Sequence, residues 1–301
     1  MTAPVGALTA SPLPRTVKAG LVWPSPPADV KLRGPGWNRP VIAMFTLMVL
    51  GGGAAAVGGA AFVWVAPLLA VAPFLVLRRQ VRRANARLGA SGSLIQHRKL
   101  RDAEESLLAI ARAAGGNKQV HGLALLQLAG VYSLRGEPQR ALELLCVVNK
   151  NTSVRRMQPH LAELIPFHIA RAFALLGEID AAEGWLAHGQ KRRNFLQEHT
   201  ADVVQALVRA RQGRHADAVA LLDKHWQLLE TSATGDAMKA QRAVLAFCLE
   251  KLGADNEKRC ELLLAGARPF GDEVRGIAWP WPDMMEFLRR RVPDEVIADP
   301  R

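Results

Sequence analysis

Before residue 102 the chain carries one acidic residue, Asp29, against 13 Lys/Arg; in 301 residues it has three cysteines and one tyrosine. Each shortage excludes something. Three cysteines are too few, and odd in number, for a disulfide framework. Cys146, Cys248 and Cys260 lie within apolar helical patterns, which predicts buried thiols in a reducing compartment. No CxxC pair, Cys/His ligand spacing, HExxH, GxSxG, Walker or dinucleotide-binding glycine pattern is present. The eight histidines are scattered. No catalytic set, metal site or cofactor is therefore expected, and the chain does not read as an enzyme.

Charge of either sign is missing from residues 41–77, which also lack His, Asn and Gln. A helix in a soluble core rarely stays apolar on every face for that long, so the stretch reads as membrane-spanning. As one helix it would reach roughly 55 Å, against a hydrocarbon core of about 30 Å. Folded at Gly58-Gly59 it gives two short legs, 41–57 and 60–77. Both flanks are basic: Arg15, Lys18, Lys31, Arg33 and Arg39 before, Arg78, Arg79, Arg82, Arg83 and Arg87 after. Basic flanks stay cytoplasmic, so two of them require an even number of crossings. The expectation is an integral membrane protein, with both ends and the soluble domain cytoplasmic (at the inner membrane, if the source is bacterial). Gly51, Ala55 and Gly59 follow small-xxx-small spacing, suited to close packing of the legs or to a homo-oligomer through the spans.

The missing acids also locate the excess charge. Residues 102–301 hold 26 Lys/Arg and 26 Asp/Glu, so the net +12 belongs to the first 101 residues. A nucleic-acid partner would need a basic face on the folded part, and none is expected; binding of nucleic acid by the basic segment 78–101 is the alternative, beside a membrane enzyme without a recognisable motif. Arg78, Arg79, Arg82, Arg83 and Arg87 are assigned instead to anionic lipid headgroups. Residues 1–40, with eight prolines, read as a disordered tail. In the linker 78–101, Gly89–Ser93 predicts a break in any helix.

Residues 102–268 look helical throughout, and they repeat. Gly136, Gly177, Gly213 and Gly253 recur. Seven residues before them stand Ala129, Ala170, Ala206 and Ala246; nine after stand Leu145, Leu186, Leu222 and Leu262. Ala141, Ala182 and Ala218 follow the first three glycines by five, and Lys258 the fourth. A small residue lets two helices approach, glycine turns the chain, and alanine and leucine fill the seam. Such hairpins must stack to bury their apolar faces. Ala103, Leu107 and Ile110 repeat the second-helix pattern and predict a capping half unit. Residues 269–301 read as a pause at Pro269, Pro280 and Pro282, then a short capping helix from Asp283 and a tail.

The units from HGLALLQLAGVYSLRGEPQRALELLCVV to RAVLAFCLEKLGADNEKRCELLL, over roughly 119–268, resemble the tetratricopeptide repeat family. The chain departs from that pattern at Arg209, where a large apolar residue is usual, and in its wider spacing. The fold class expected is all-α: a transmembrane helical hairpin followed by a tetratricopeptide-like α-solenoid. The resemblance implies a concave groove lined by the first helices, here Leu126, Phe167, Arg171, Leu207, Arg211, Phe247 and Lys251. Apolar anchors among cations suit an amphipathic segment bearing carboxylates. The function implied is that of a membrane-anchored scaffold binding an unidentified protein or peptide through this groove.

Overall fold

The computed structural model describes residues 15–18, 21–24, 62–114, 117–191, 198–227, 230 and 235–294. The first leg of the expected membrane hairpin and its glycine turn lie outside them, as does most of the 1–40 tail. Within that tail, β1 (Arg15–Lys18) and β2 (Leu21–Pro24) pair antiparallel, Thr16 opposite Trp23 and Val17 opposite Val22. These residues are therefore ordered strand, a departure from the disordered reading. Val17, Leu21 and Val22 supply β propensity between the prolines.

The body is all-helical, with α1 (Phe62–Gln96), α2 (Leu100–Ala113), α3 (Lys118–Leu134), α4 (Pro138–Asn149), α5 (Thr152–Met157), α6 (Pro159–Leu175), α7 (Ile179–Gln190), α8 (Glu198–Arg211), α9 (His215–Lys224), α10 (Gly235–Leu252), α11 (Glu257–Ala267), α12 (Asp272–Ala278) and α13 (Pro282–Arg291). Adjacent helices pack as hairpins, α3 on α4, α6 on α7, α8 on α9 and α10 on α11, and each hairpin packs on the next. This is a helical-repeat-like domain, compatible with a solenoid.

The glycines do what their spacing implied. Gly136, Gly177, Gly213 and Gly253 have φ of +69°, +80°, +76° and +113°, conformations in which a Cβ would clash. At the first three, the amide after the glycine donates to a carbonyl five residues back, as Glu137 N does to Tyr132 O at 2.9 Å, closing the helix end. The seam alanines 129, 170, 206 and 246 are all buried, as are Ala141, Ala182 and Ala218. The thiols of Cys146, Cys248 and Cys260 are free and buried, and burial pushes them up to about 12, 12 and 11.

Two registers differ from the sequence reading. In the fourth unit a 3-10 turn, Ala254–Asn256, intervenes between the glycine and α11. It shifts the helix by two residues, so Cys260 and Leu264 take the seam while Leu262 faces solvent, 67 % exposed. Cys260 Sγ lies 3.5 Å from the Ala246 carbonyl, the close approach that a small side chain permits. At the other end, α1 runs unbroken through Gly89–Ser93. Tertiary packing overrides the local glycines: Leu88 and Ser91 are buried against α2 and α3, and Ser91 Oγ donates to Arg87 O at 3.0 Å and lies 2.8 Å from Ser106 Oγ. The supposed half unit is thus a whole one. Ser91 stands seven before the turn residue, Ala103 five after and Leu107 nine after. The turn residue is Arg98, in the left-handed region at φ +61°, with the same five-residue closure, Lys99 N to Leu94 O at 2.9 Å.

The wide spacing between Gly136 and Gly177 comes from α5, an extra turn capped by Asn151, whose Oδ1 accepts from Ser153 N and Val154 N and whose Nδ2 donates to Lys118 O at 2.8 Å. Arg209, the departure from the family pattern, reaches out of the seam and donates to Glu183 Oε1 on α7 at 2.8 Å.

Among the described residues no helix is long and apolar enough to cross a membrane. The charge-free start of α1, residues 62–77, would rise roughly 24 Å, short of a bilayer core of about 30 Å.

The shifted register is testable by substitution. Leu264→Ala should destabilise the protein by about 2–4 kcal/mol, as core truncations do, while Leu262→Ser stays within about 0.5 kcal/mol. Denaturant melts of the two variants check it; the reverse order would restore the unshifted seam.

Candidate functional site

The expected groove lies along the first helices, and the chain occupies much of it itself. The turn register relates the stripe: Gly130, Arg171, Leu207 and Phe247 stand six before the four turn glycines, and Arg211 and Lys251 two before the third and fourth.

Phe247 is buried, and what covers it is the C-terminal segment. Trp281 meets its ring edge-on at 4.8 Å between centroids and Phe287 does so at 5.5 Å. Lys251 is exposed and sits 5.5 Å above the Phe247 ring; Arg211 lies 5.1 Å over Trp281. Arg211 is oriented from behind by its Nε–H donating to Ala174 O at 3.0 Å. Burial lowers its pKa, and Asp283 opposes that shift.

Residues 269–282 were expected to interrupt the helices. Instead α12 forms between the prolines and runs across the groove, packing on both α3 and α10. Its acidic start is clamped by Arg98, which donates to Asp272 Oδ2 at 3.3 Å and Glu273 Oε2 at 2.9 Å. Gly276 is where α12 crosses α3: a Cβ there would come within 2.4 Å of Ser133 O. Val274, Ile277, Ala278, Trp281, Met284, Met285 and Leu288 are all buried. Behind them Arg290 and Arg291 pair with Glu250, and Arg291 also with Glu257.

The remaining candidates divide. Phe167 does not face the groove. It is fully buried against Gly189 of α7, its Cε1 2.9 Å from where a Cβ on that glycine would stand. Four residues of helix turn a side chain about 40° past a full revolution, which carries position 167 off the concave face and into the hairpin seam. Leu207 is buried, and Leu126 is half-buried at the edge of the core. Arg171 is half-buried and faces Glu273, whose charge acts against the lowering of its pKa by burial. The arrangement therefore binds an amphipathic, carboxylate-bearing segment, and the segment it holds is 270–292. The sequence signal for this segment is the apolar spacing 274, 277, 278, 281, 284, 285, 288, which Pro280 and Pro282 mask.

Arg78, Arg79, Arg82, Arg83 and Arg87 are all exposed along α1, away from Leu88 and Ser91, which face the repeats. Outside the groove, Asp202 is the one buried acid among the described residues. It accepts from Lys224 Nζ at 2.9 Å and lies 2.7 Å from His225 Nε2. Burial raises its pKa, but the hydrogen bonds and charges of Lys224 and His225 outweigh that and hold it below its ordinary value of 3.8. The cluster ties α9 to α8. No group of three or more His, Cys, Asp or Glu able to hold a metal ion occurs among the described residues.

No protein-family model, curated protein or solved structure matches the chain. Its class is the one the fold and groove define: a helical-repeat-like domain whose concave face holds a segment of its own chain.

If Trp281 anchors that segment, Trp281→Ala should lower stability by about 3–5 kcal/mol and raise amide exchange in α12 and α13 above that in α6 and α7. Uniform exchange across all four helices would show that the segment and the repeats open as one unit.

Proposed function

We propose that this protein is a membrane-anchored scaffold of the tetratricopeptide type, which presents a helical-repeat groove to a protein or peptide partner beside an anionic membrane surface. The observation that carries this reading is the groove's own occupant: Asp272 and Glu273 read by Arg98, and Trp281 caught between Phe247 and Arg211. A few anchors hold the segment, as recognition surfaces do. Over the first two units the groove stays open. Gly130 is exposed, and nothing lies within 4 Å of where its Cβ would be. Leu126 and Arg171 border that opening, and an acidic, amphipathic segment of the partner fits there.

Two features support the membrane part. β2 lies against α4 and α7, so chain that leaves the repeat domain before residue 41 rejoins it after residue 77. A path that starts and ends beside one body crosses a bilayer an even number of times, which favours the hairpin over a single span and puts the soluble domain and both termini on the cytoplasmic side. Second, the apolar residues 62–77 and the first helix of the repeats are one continuous helix, α1. The anchor would then hold the groove at a fixed angle, with the five arginines at headgroup level, and concentrate it near membrane-bound partners. Homo-oligomers through Gly51, Ala55 and Gly59 belong to the same proposal.

Topology is tested by labelling single cysteines introduced at Ala28 and Ala298 in sealed membranes; both should react from the cytoplasmic side, and labelling from opposite sides would refute the hairpin.

Recognition is tested by crosslinking capture from intact membranes. Leu126→Ser with Arg171→Glu should lose the captured partner at unchanged helicity, whereas replacing Arg78, Arg79, Arg82 and Arg83 by Gln should weaken lipid contact and leave capture intact. Capture that survives the groove changes and fails with the arginine changes would move recognition to α1.

A further inference from the structure

The open part of the groove carries an arginine without a counterpart. Arg171 and His168 stand one turn apart on α6, six and nine residues before Gly177. Among the described residues neither has a hydrogen-bond or salt-bridge partner. Glu273 is the opposing charge that acts on Arg171, and it is already bonded to Arg98. His168 meets water, but from the bottom of a concavity: the solvent lost around it, helped by the Arg171 charge, holds its pKa down at about 4. An exposed ring that is nonetheless this desolvated marks a recess rather than an open surface.

The neighbouring unit completes the recess. Nine and six residues before Gly136 the same two register positions are Gln127 and Gly130, on α3. Gln127 Oε1 is buried and has no hydrogen-bond partner; an amide can turn either its oxygen or its NH2 to a ligand. Gly130 leaves open space. α5 packs on both α3 and α6 and separates their N-terminal ends, so the floor between these four residues is not closed by helix packing.

We propose that Arg171, His168 and Gln127 form an oxyanion-binding recess, taking a carboxylate or phosphate group into the space over Gly130. Arg171 supplies the two-pronged guanidinium that fits planar or tetrahedral oxyanions, the Gln127 amide supplies a neutral donor, and His168 takes up a proton as the anion enters. The partner's acidic group in the scaffold reading above would enter here, so the proposal rests on that reading for the origin of its ligand. The recess itself is independent of it.

The test uses the full-length protein in detergent with histidine labelled at carbon ε1. His168 is assigned by its loss in His168→Asn, and its titration is followed by NMR with and without inorganic phosphate or glutarate. The probe that binds should raise the His168 pKa by at least one unit, and which probe does so separates a phosphate source from a carboxylate source. Arg171→Gln should weaken that probe at least tenfold in calorimetry. Gly130→Glu, which the open space accommodates, should place a carboxylate in the recess, raise the His168 pKa without any probe and abolish probe binding at unchanged helicity. A His168 pKa unmoved by both probes and by Gly130→Glu, or a probe response that survives Arg171→Gln, would overturn the recess. Loss of partner capture alone, with probe binding intact, would overturn the scaffold reading and leave the recess standing.

Discussion

Every unit of this fold depends on one backbone constraint: a helix must end in a left-handed residue with a small side chain seven positions earlier. The left-handed residue reverses the chain within a few residues, and the amide after it closes the helix end. The small residue then lies where the returning helix passes closest. Both halves are needed. Without the turn the helices would not be antiparallel, and without the small residue they would stand too far apart for the alanine and leucine of the second helix to meet the first. Burial of Ala129, Ala170, Ala206 and Ala246 beside four positive-φ glycines is the physical content of the repeat.

The exception among the turns shows why one position gives up glycine. Arg98 pays a strain of roughly 1–2 kcal/mol for a left-handed backbone and is the residue that holds Asp272 and Glu273. A glycine would relax the turn and release the start of α12. The turn and the clasp are thus one residue, and the groove's contents are tied to the geometry of the first hairpin.

Much of the fold was legible because it rests on spacing, which a sequence displays directly. What escaped did so for local reasons. The first hairpin was hidden because Arg98 and Ser91 replace the usual glycine and alanine, and because Gly89 and Gly92 look like breakers when packing partners are unknown. Leu262 was placed in the seam because a 3-10 turn leaves no mark in composition. For the site, Phe167 and Phe247 look equivalent in sequence, but their positions relative to the turn differ by four residues, enough to send one into the seam and the other to the groove. That Phe247 is covered by the chain's own Trp281 and Phe287 was unreadable, since residues more than thirty apart carry no periodic signal of their contact.

The contact of α12 with α3 joins residues about 140 positions apart. A plain repeat array is stabilised by neighbours alone, so it can begin to form anywhere and grow or fray from its ends. Here the last segment to leave the ribosome closes onto one of the earliest soluble units. During synthesis the nascent repeats would wait with Phe247 and the α3 crossing uncovered, in a half-finished state exposed to chaperones and to premature association. Once closed, the array behaves less like a row of separable modules and more like a single cooperative domain: a nonsense mutation after Ala267 would spare every hairpin and still leave the whole unfinished.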